Sequence, residues 1–410
     1  MKTTIIGLLA LLVAGSSQAA MQSLTDTELD AVQGQALITA GYTSSGNMGF
    51  YKVGLQANLE INANIRKLQL GCGGANGASG CDIDIDNFSL SGNCANRPSC
   101  DAVMKNPFIE FAVKNPGNSS QREISGFRLS SELLTGLMSA GTNDGTANGI
   151  NTISGYLPIA ASSGVAQTAA GTMTNSLSGA AKVTVLGIGI MNSNYVTDNR
   201  GLPVQSVGTP FNVSALTVSG SRMQNVNLTA NATVPDLSVA GERTAYLDIL
   251  GLSIAHLNLT STVHGLKANM NINEDLGYIH NLPVNSPFSL SLQKESILWP
   301  GQAVAAQRGW WMSFSDPIQL GDLSPPSSYR ADISSAYPQV ASKVSNYLAA
   351  HPVSLDAGSA VAGIIGFPIY VNAGTLDLSG YSPVNVPLTN LPLGTAQNVS
   401  ANCWGSSKFC

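Results

Sequence analysis

Charge is scarce in this chain. Asp, Glu, Lys and Arg make up 10% of its 410 residues, and the formal net charge is −5. No cluster of Lys and Arg occurs, which speaks against nucleic acid as a partner and against charge-driven docking to anionic lipid. Aromatic residues stand at 6%, which is poor material for the girdles of a membrane barrel. Beyond the N-terminus, the nearest approach to a long apolar run is Val183–Met191, about half of what a membrane-spanning helix needs. The four histidines form neither His-x-x-x-His nor His-Glu-x-x-His, and Gly-x-Ser-x-Gly is absent. The Gly-rich stretches lack the Lys-Ser/Thr of a phosphate loop. No cofactor and no enzymatic activity are expected.

What the chain does have is alternation. In Leu55–Arg66 every odd position is apolar and every even one polar. A strand turns successive side chains to opposite faces, so this stretch predicts one wet side and one dry side. The pattern returns at Val226–Val234, Leu257–Val263 and Leu266–Ile272. Half-buried antiparallel sheets read this way. The expected fold is mainly β, an antiparallel sandwich or elongated two-layer sheet. It carries a short N-terminal helix and one helix near residues 338–350, where Pro338 fits a first turn and Val340, Val344, Tyr347 and Leu348 share a face. Pro352 ends that helix.

Residues 1–20 read as an export signal: Lys2, an apolar core at Ile5–Val13, then Ser17-Gln18-Ala19. Residues 21–40 form the N-terminal helical segment. Thr25 and Glu28 make a capping box, Leu24 and Leu29 a hydrophobic staple, and Gly34 a left-handed terminator. A first β domain is expected over 41–157. An Ala/Ser/Gly/Thr-rich linker over 158–182 and a second β domain over 183–410 follow.

The six cysteines fall in three close pairs, Cys72/Cys81, Cys94/Cys100 and Cys403/Cys410. Six cysteines allow fifteen pairings, and export favours disulfides. The local pairs are the expected ones. A zinc site is the competing reading, but no Cys-x-x-Cys occurs and no His lies near a Cys.

Three groups of residues invite a chemical reading. Asp82, Asp84 and Asp86 alternate with Ile83 and Ile85, so a strand would carry three carboxylates on one face about 7 Å apart. They make either a weak Ca²⁺ site or a solvated acidic edge. An EF-hand would need Gly and Glu where Asn87 and Asn93 stand. Trp299, Trp310 and Trp311 sit near Trp299-Pro-Gly301 and Gly309. They are either core or an exposed aromatic platform for a glycan, an apolar ligand or a partner. Extended backbone turns Trp310 and Trp311 to opposite faces, so one should be buried and the other exposed. Glu110 with Glu123 or Glu132 offers the carboxylate pair that glycoside chemistry needs, as any strand-built protein of this size does. His256, His264, His280 and His351 are expected to face solvent or a neighbouring acceptor.

Several stretches taken together carry a resemblance. They are Leu24–Ala36 behind the signal, Cys81–Asn87, Asn106–Ala112, Arg122–Arg128 and the closing Cys403–Cys410. This set resembles exported surface proteins of Gram-negative bacteria grouped with Fil-type (FilA-like) pilus systems. The resemblance covers roughly the first 130 residues and the C-terminal tip. It implies a non-enzymatic surface, pilus or adhesion protein. Its partners would be other pilus or surface proteins, or further copies of this chain, with an outer-membrane association open. The alternative expectation is a periplasmic or outer-membrane β protein that holds a lipid in an apolar groove lined by Val183–Met191 and Val226–Val234.

Overall fold

The structure, a computed structural model, describes residues 38–94, 100–185, 189–247, 253–355, 368–399 and 402. The export signal, the capping-box helix and the Cys403/Cys410 pair lie outside them. The fold is mainly β. The largest sheet runs in the order Ile38–Ser45, Met48–Leu55, Ala102–Lys114, Glu123–Ser139, Ser289–Gln293, Gly309–Ser313, Ile150–Ile159, Ile83–Ser91 and Ala63–Leu70. Glu123–Ser139 also pairs with Ile83–Ser91, through Leu137–Ser139 and Ser89–Ser91. The pairings therefore close a ring of five strands, and Ile38–Ser45, Met48–Leu55 and Ala102–Lys114 extend from it as a flap.

A second sheet is built around Leu237–Leu247 and Ser253–His264, and a third joins Asn225–Thr233, Lys267–Asp275 and Val384–Thr389. One contiguous core runs between the sheets and includes Ile83, Ile153, Phe211, Leu228, Ile272 and Val344. The alternations at 226–234 and 266–272 hold. Val226, Leu228, Ala230, Ala232 and Val234 are buried, as are Leu266, Ala268, Met270 and Ile272. Their polar neighbours face out. The helix spans Tyr337–Ala350 with Pro338 in its first turn, and it buries Val340, Ala341, Val344 and Leu348.

Not every strand is antiparallel. Val353–Leu355, Pro368–Asp377 and Val384–Thr389 each pair in parallel with an earlier strand. A parallel neighbour needs a long crossover rather than a hairpin, and the Tyr337–Ala350 helix precedes all three.

Three expectations need correction. Residues 55–66 do not make one half-buried strand. They contribute to three, Met48–Leu55, Asn58–Ile61 and Ala63–Leu70: the first two both pair with Ala102–Lys114, and the chain then changes partner to Ile83–Ser91. The side expected to be dry is exposed at Leu55, Leu59 and Ile65. Residues 158–182 are not a linker either. They hold the strands Ser162–Gln167 and Gly171–Met173 and the start of Ser178–Val185. The small residues there answer to close packing: a Cβ on Gly164 would lie 2.6 Å from the Phe211 ring, and one on Gly171 would lie 2.0 Å from the Tyr337 hydroxyl. Nor do the sheets respect a boundary at 183. Strands Asn281–Ser286 and Ser289–Gln293 pair with Glu123–Ser139.

Two of the expected disulfides are present, Cys72–Cys81 and Cys94–Cys100. The first closes a Gly-rich loop. Replacing Cys72 and Cys81 by Ser should lower stability by about 2–3 kcal/mol through the freed unfolded chain. A thermal melt beside the wild type checks this.

Candidate binding face and cleft

In a sheet, directly paired residues point to the same side. The registers of the largest sheet therefore line up two rows. Tyr42, Tyr51, Phe111, Phe127, Leu292 and Trp310 form one, and Ala40, Val53, Ile109, Leu129, Leu290 and Met312 form the other. The face they share is apolar across six strands, roughly 24 Å at the usual strand spacing. Rings touch at both ends of the first row. The centroids of Tyr42 and Tyr51 lie 4.9 Å apart, and Phe127 meets Trp310 edge-on at 5.8 Å. Towards the flap this face is uncovered. Ile38, Tyr42, Tyr51, Val53, Leu55, Ile109, Phe111 and Leu129 are each 40–63% exposed. Large contiguous apolar patches on a soluble surface mark places of contact.

The reverse of the same strands is closed. Phe50, Ala112, Ile297, Trp299, Ala306 and Trp311 form a separate small core there. Within it Arg128 is paired with Glu110, both nearly fully buried. Arg128 also donates to the Pro300 carbonyl at 3.1 Å and lies 5.4 Å from the ring centres of Phe108 and Trp299. Burial pushes its guanidinium below the ordinary range, and Glu110 pulls it back in part.

At the ring end of the first row, a cleft of about 640 Å³ opens between Ile124, Phe127, Leu292 and Trp310 on one side and the Cys-closed loop on the other. The loop is held in place by one buried carboxylate. Asp82 Oδ1 accepts from Asn76 Nδ2 at 2.9 Å and from Arg222 Nε at 3.0 Å, and Asp82 Oδ2 accepts from the Trp310 backbone N–H at 3.0 Å. Arg222 also donates to the carbonyls of Gly71, Gly77 and Ser79. Gly71 and Gly309 sit against the Asp82 carboxylate, where a Cβ would clash, and both have positive φ. Lys294 and Arg308 stand at the rim.

The three aspartates do not converge. Asp82 turns inward to Arg222, while Asp84 and Asp86 share Lys67 Nζ at 2.7 and 2.9 Å. Partial burial pushes the Asp84 carboxyl up. Bonds from Lys67, Gln69 and Asn151 outweigh this and hold it below the usual range. Lys67 thus supplies the positive charge that a cation would bring. Among the described residues no group of three His, Cys, Asp or Glu side chains is placed to hold a metal ion.

Of the three tryptophans, Trp299 and Trp311 are core and Trp310 is half-buried at the cleft. Trp310 and Trp311 turn to opposite faces, but Trp310 is half-buried where an exposed ring was expected. The three glutamates are each engaged by another side chain. Glu110 binds Arg128, Glu123 binds Lys294 and Glu132 accepts from Asn106. His256 and His264 meet Glu242 and Asp236, His351 stacks on Tyr347, and His280 is buried against the Ala140 carbonyl. The groove expected from Val226–Val234 is instead solid core. The side chains of 183–191 lie outside the described set.

Sequence reasoning missed Arg222, Asn76 and the Glu110–Arg128 pair. Arg222 and Asp82 are 140 positions apart, and nothing local marks them as partners. Comparison with known proteins adds no relative: no family model, no curated protein and no solved structure matches this chain.

Proposed function

We propose that this chain is a structural or adhesion protein of a Gram-negative cell surface, pilus-associated, that works by binding other protein chains. Its partners are other pilus or surface proteins, or further copies of itself. One observation carries the reading: the uncovered apolar face runs out to an edge strand that no described residue guards. Ile38–Ser45 pairs on one side only among the described residues, and its eight residues include no charge and no proline. Natural edges are usually blunted by Lys, Pro or a bulge. An unblunted edge offers free N–H and C=O groups for strand addition, and the flanking pockets between side chains give selectivity. The two disulfides are compatible with an exported chain.

The test is immunogold labelling of whole cells with a deletion strain scored for adherence. Complementation with Ile38→Lys plus Tyr42→Lys follows. Both positions are exposed, so each change should alter stability by less than about 0.5 kcal/mol. Charge on the edge should nonetheless block pairing. The expected result is a surface antigen and adherence that the wild type restores and the double variant does not. An antigen confined within the outer membrane, or full rescue by the variant, overturns the proposal.

A further inference from the structure

The cleft lies at the far end of the face from the edge strand, and its chemistry is different. We infer that it binds a single-chain amphiphile with an anionic head, a long-chain carboxylate, independently of what the edge strand engages. Its volume of about 640 Å³ falls within the range of small-molecule sites, roughly 300–1,000 Å³. That size suits one apolar chain. The walls are apolar side chains, Ile124, Phe127, Leu292 and Trp310. Asp82 lines the cleft, but its carboxylate is occupied by Arg222, Asn76 and the Trp310 N–H, so it does not repel an anion as a free carboxylate would.

The rim carries the complementary charge. Lys294 is shared with Glu123. Arg308 makes no ion pair with any described residue, while its own carbonyl accepts from Asn76 at 2.8 Å. That bond ties the Arg308 backbone to the loop. A guanidinium is a fork that matches a carboxylate with two parallel bonds. The loop wall is fixed beforehand by the disulfide and by the Asp82–Arg222 pair, which lowers the ordering cost of binding. An apolar slot whose mouth carries Lys294, shared with Glu123, and Arg308, without an ion pair among the described residues, selects a molecule that is oily along its length and negative at one end.

The full-length exported chain is titrated with oleate below its micelle concentration, with oleyl alcohol, and with phosphatidylglycerol vesicles. Binding is followed by calorimetry and by tryptophan emission. Oleate should bind at one site per chain, and at least about tenfold tighter than the alcohol, as one charge-assisted bond allows. Arg308→Gln should remove that preference. Ile124→Glu should abolish binding of both molecules, and its exposed position keeps the fold intact. Trp310→Phe should remove most of the emission change and leave binding in place. Equal affinity for oleate and alcohol overturns the inference, as does indifference of oleate binding to Arg308→Gln. No saturable oleate site, or binding to the vesicles alone, also overturns it.

Discussion

Glu110→Gln should lower the unfolding free energy by about 3–5 kcal/mol, the usual result of leaving a buried charge without its partner. Arg128 would keep the Pro300 carbonyl and the rings of Phe108 and Trp299, but none of these carries a negative charge. The guanidinium has no route to water, because Trp299 and Trp311 seal that face. Urea unfolding reads the effect as an earlier midpoint at unchanged slope. A second variant separates charge from packing. Glu110→Met combined with Arg128→Leu removes both ions and keeps apolar volume, and such replacements are often neutral or stabilising. The double variant should recover most of the loss. A single variant as stable as the wild type would mean that the pair is hydrated in solution.

Above about pH 7, Glu274→Gln should be more stable than the wild type by up to about 3 kcal/mol, taking about 1.4 kcal/mol per pKa unit. Glu274 is fully buried on the inward side of Lys267–Asp275, directly across from Val226. Burial drives its carboxyl from 4.5 up to about 7. The bond from the Leu391 N–H to Oε2, at 2.8 Å, works the other way, and the Asp275 charge adds to the rise. Oε1 has no partner among the described residues. In the window from 4.5 to about 7 the native state keeps a proton that the unfolded state has released. Stability therefore falls as pH rises through that window and levels off above it. The glutamine variant cannot ionise, so the difference between the two proteins should grow from about pH 5 to about pH 8. Parallel stability curves across that range would show that Glu274 titrates normally.

Glu274 was legible in the sequence in one sense. Ala268, Met270 and Ile272 point inward, and the next inward position is 274. Period alone named the face, and burial gave the residue its altered chemistry. The stretch 55–66 shows the limit of the same rule. Alternation says that a strand has two unlike faces, but whether either is covered depends on a second layer, which local sequence does not encode. There the cover is incomplete: Ile61 and Ala63 pack partly on the core, Leu55, Leu59 and Ile65 are exposed, and Leu55 joins the binding face. The disulfides at 72/81 and 94/100 could be read from spacing because a short loop brings its ends together cheaply. The Asp82–Arg222 pair could not, since the two positions meet only because Ile150–Ile159 pairs with both Ile83–Ser91 and Leu216–Met223. The run 158–182 misled because small residues also occur where two elements pack too closely for a side chain, as Gly164 under Phe211 shows.

The parallel strand Val384–Thr389 has a consequence for the order of assembly. It completes the sheet begun by Asn225–Thr233 and Lys267–Asp275, and a lone two-stranded ribbon is marginally stable at best. At 5–20 residues per second, a ribosome needs roughly 5–20 s to travel from the end of the second strand, Asp275, to Val384. For that interval the nascent ribbon has a raw border with no mate. A chain halted before Val384 would keep that border indefinitely, so quality control has most reason to act on the products of late truncation.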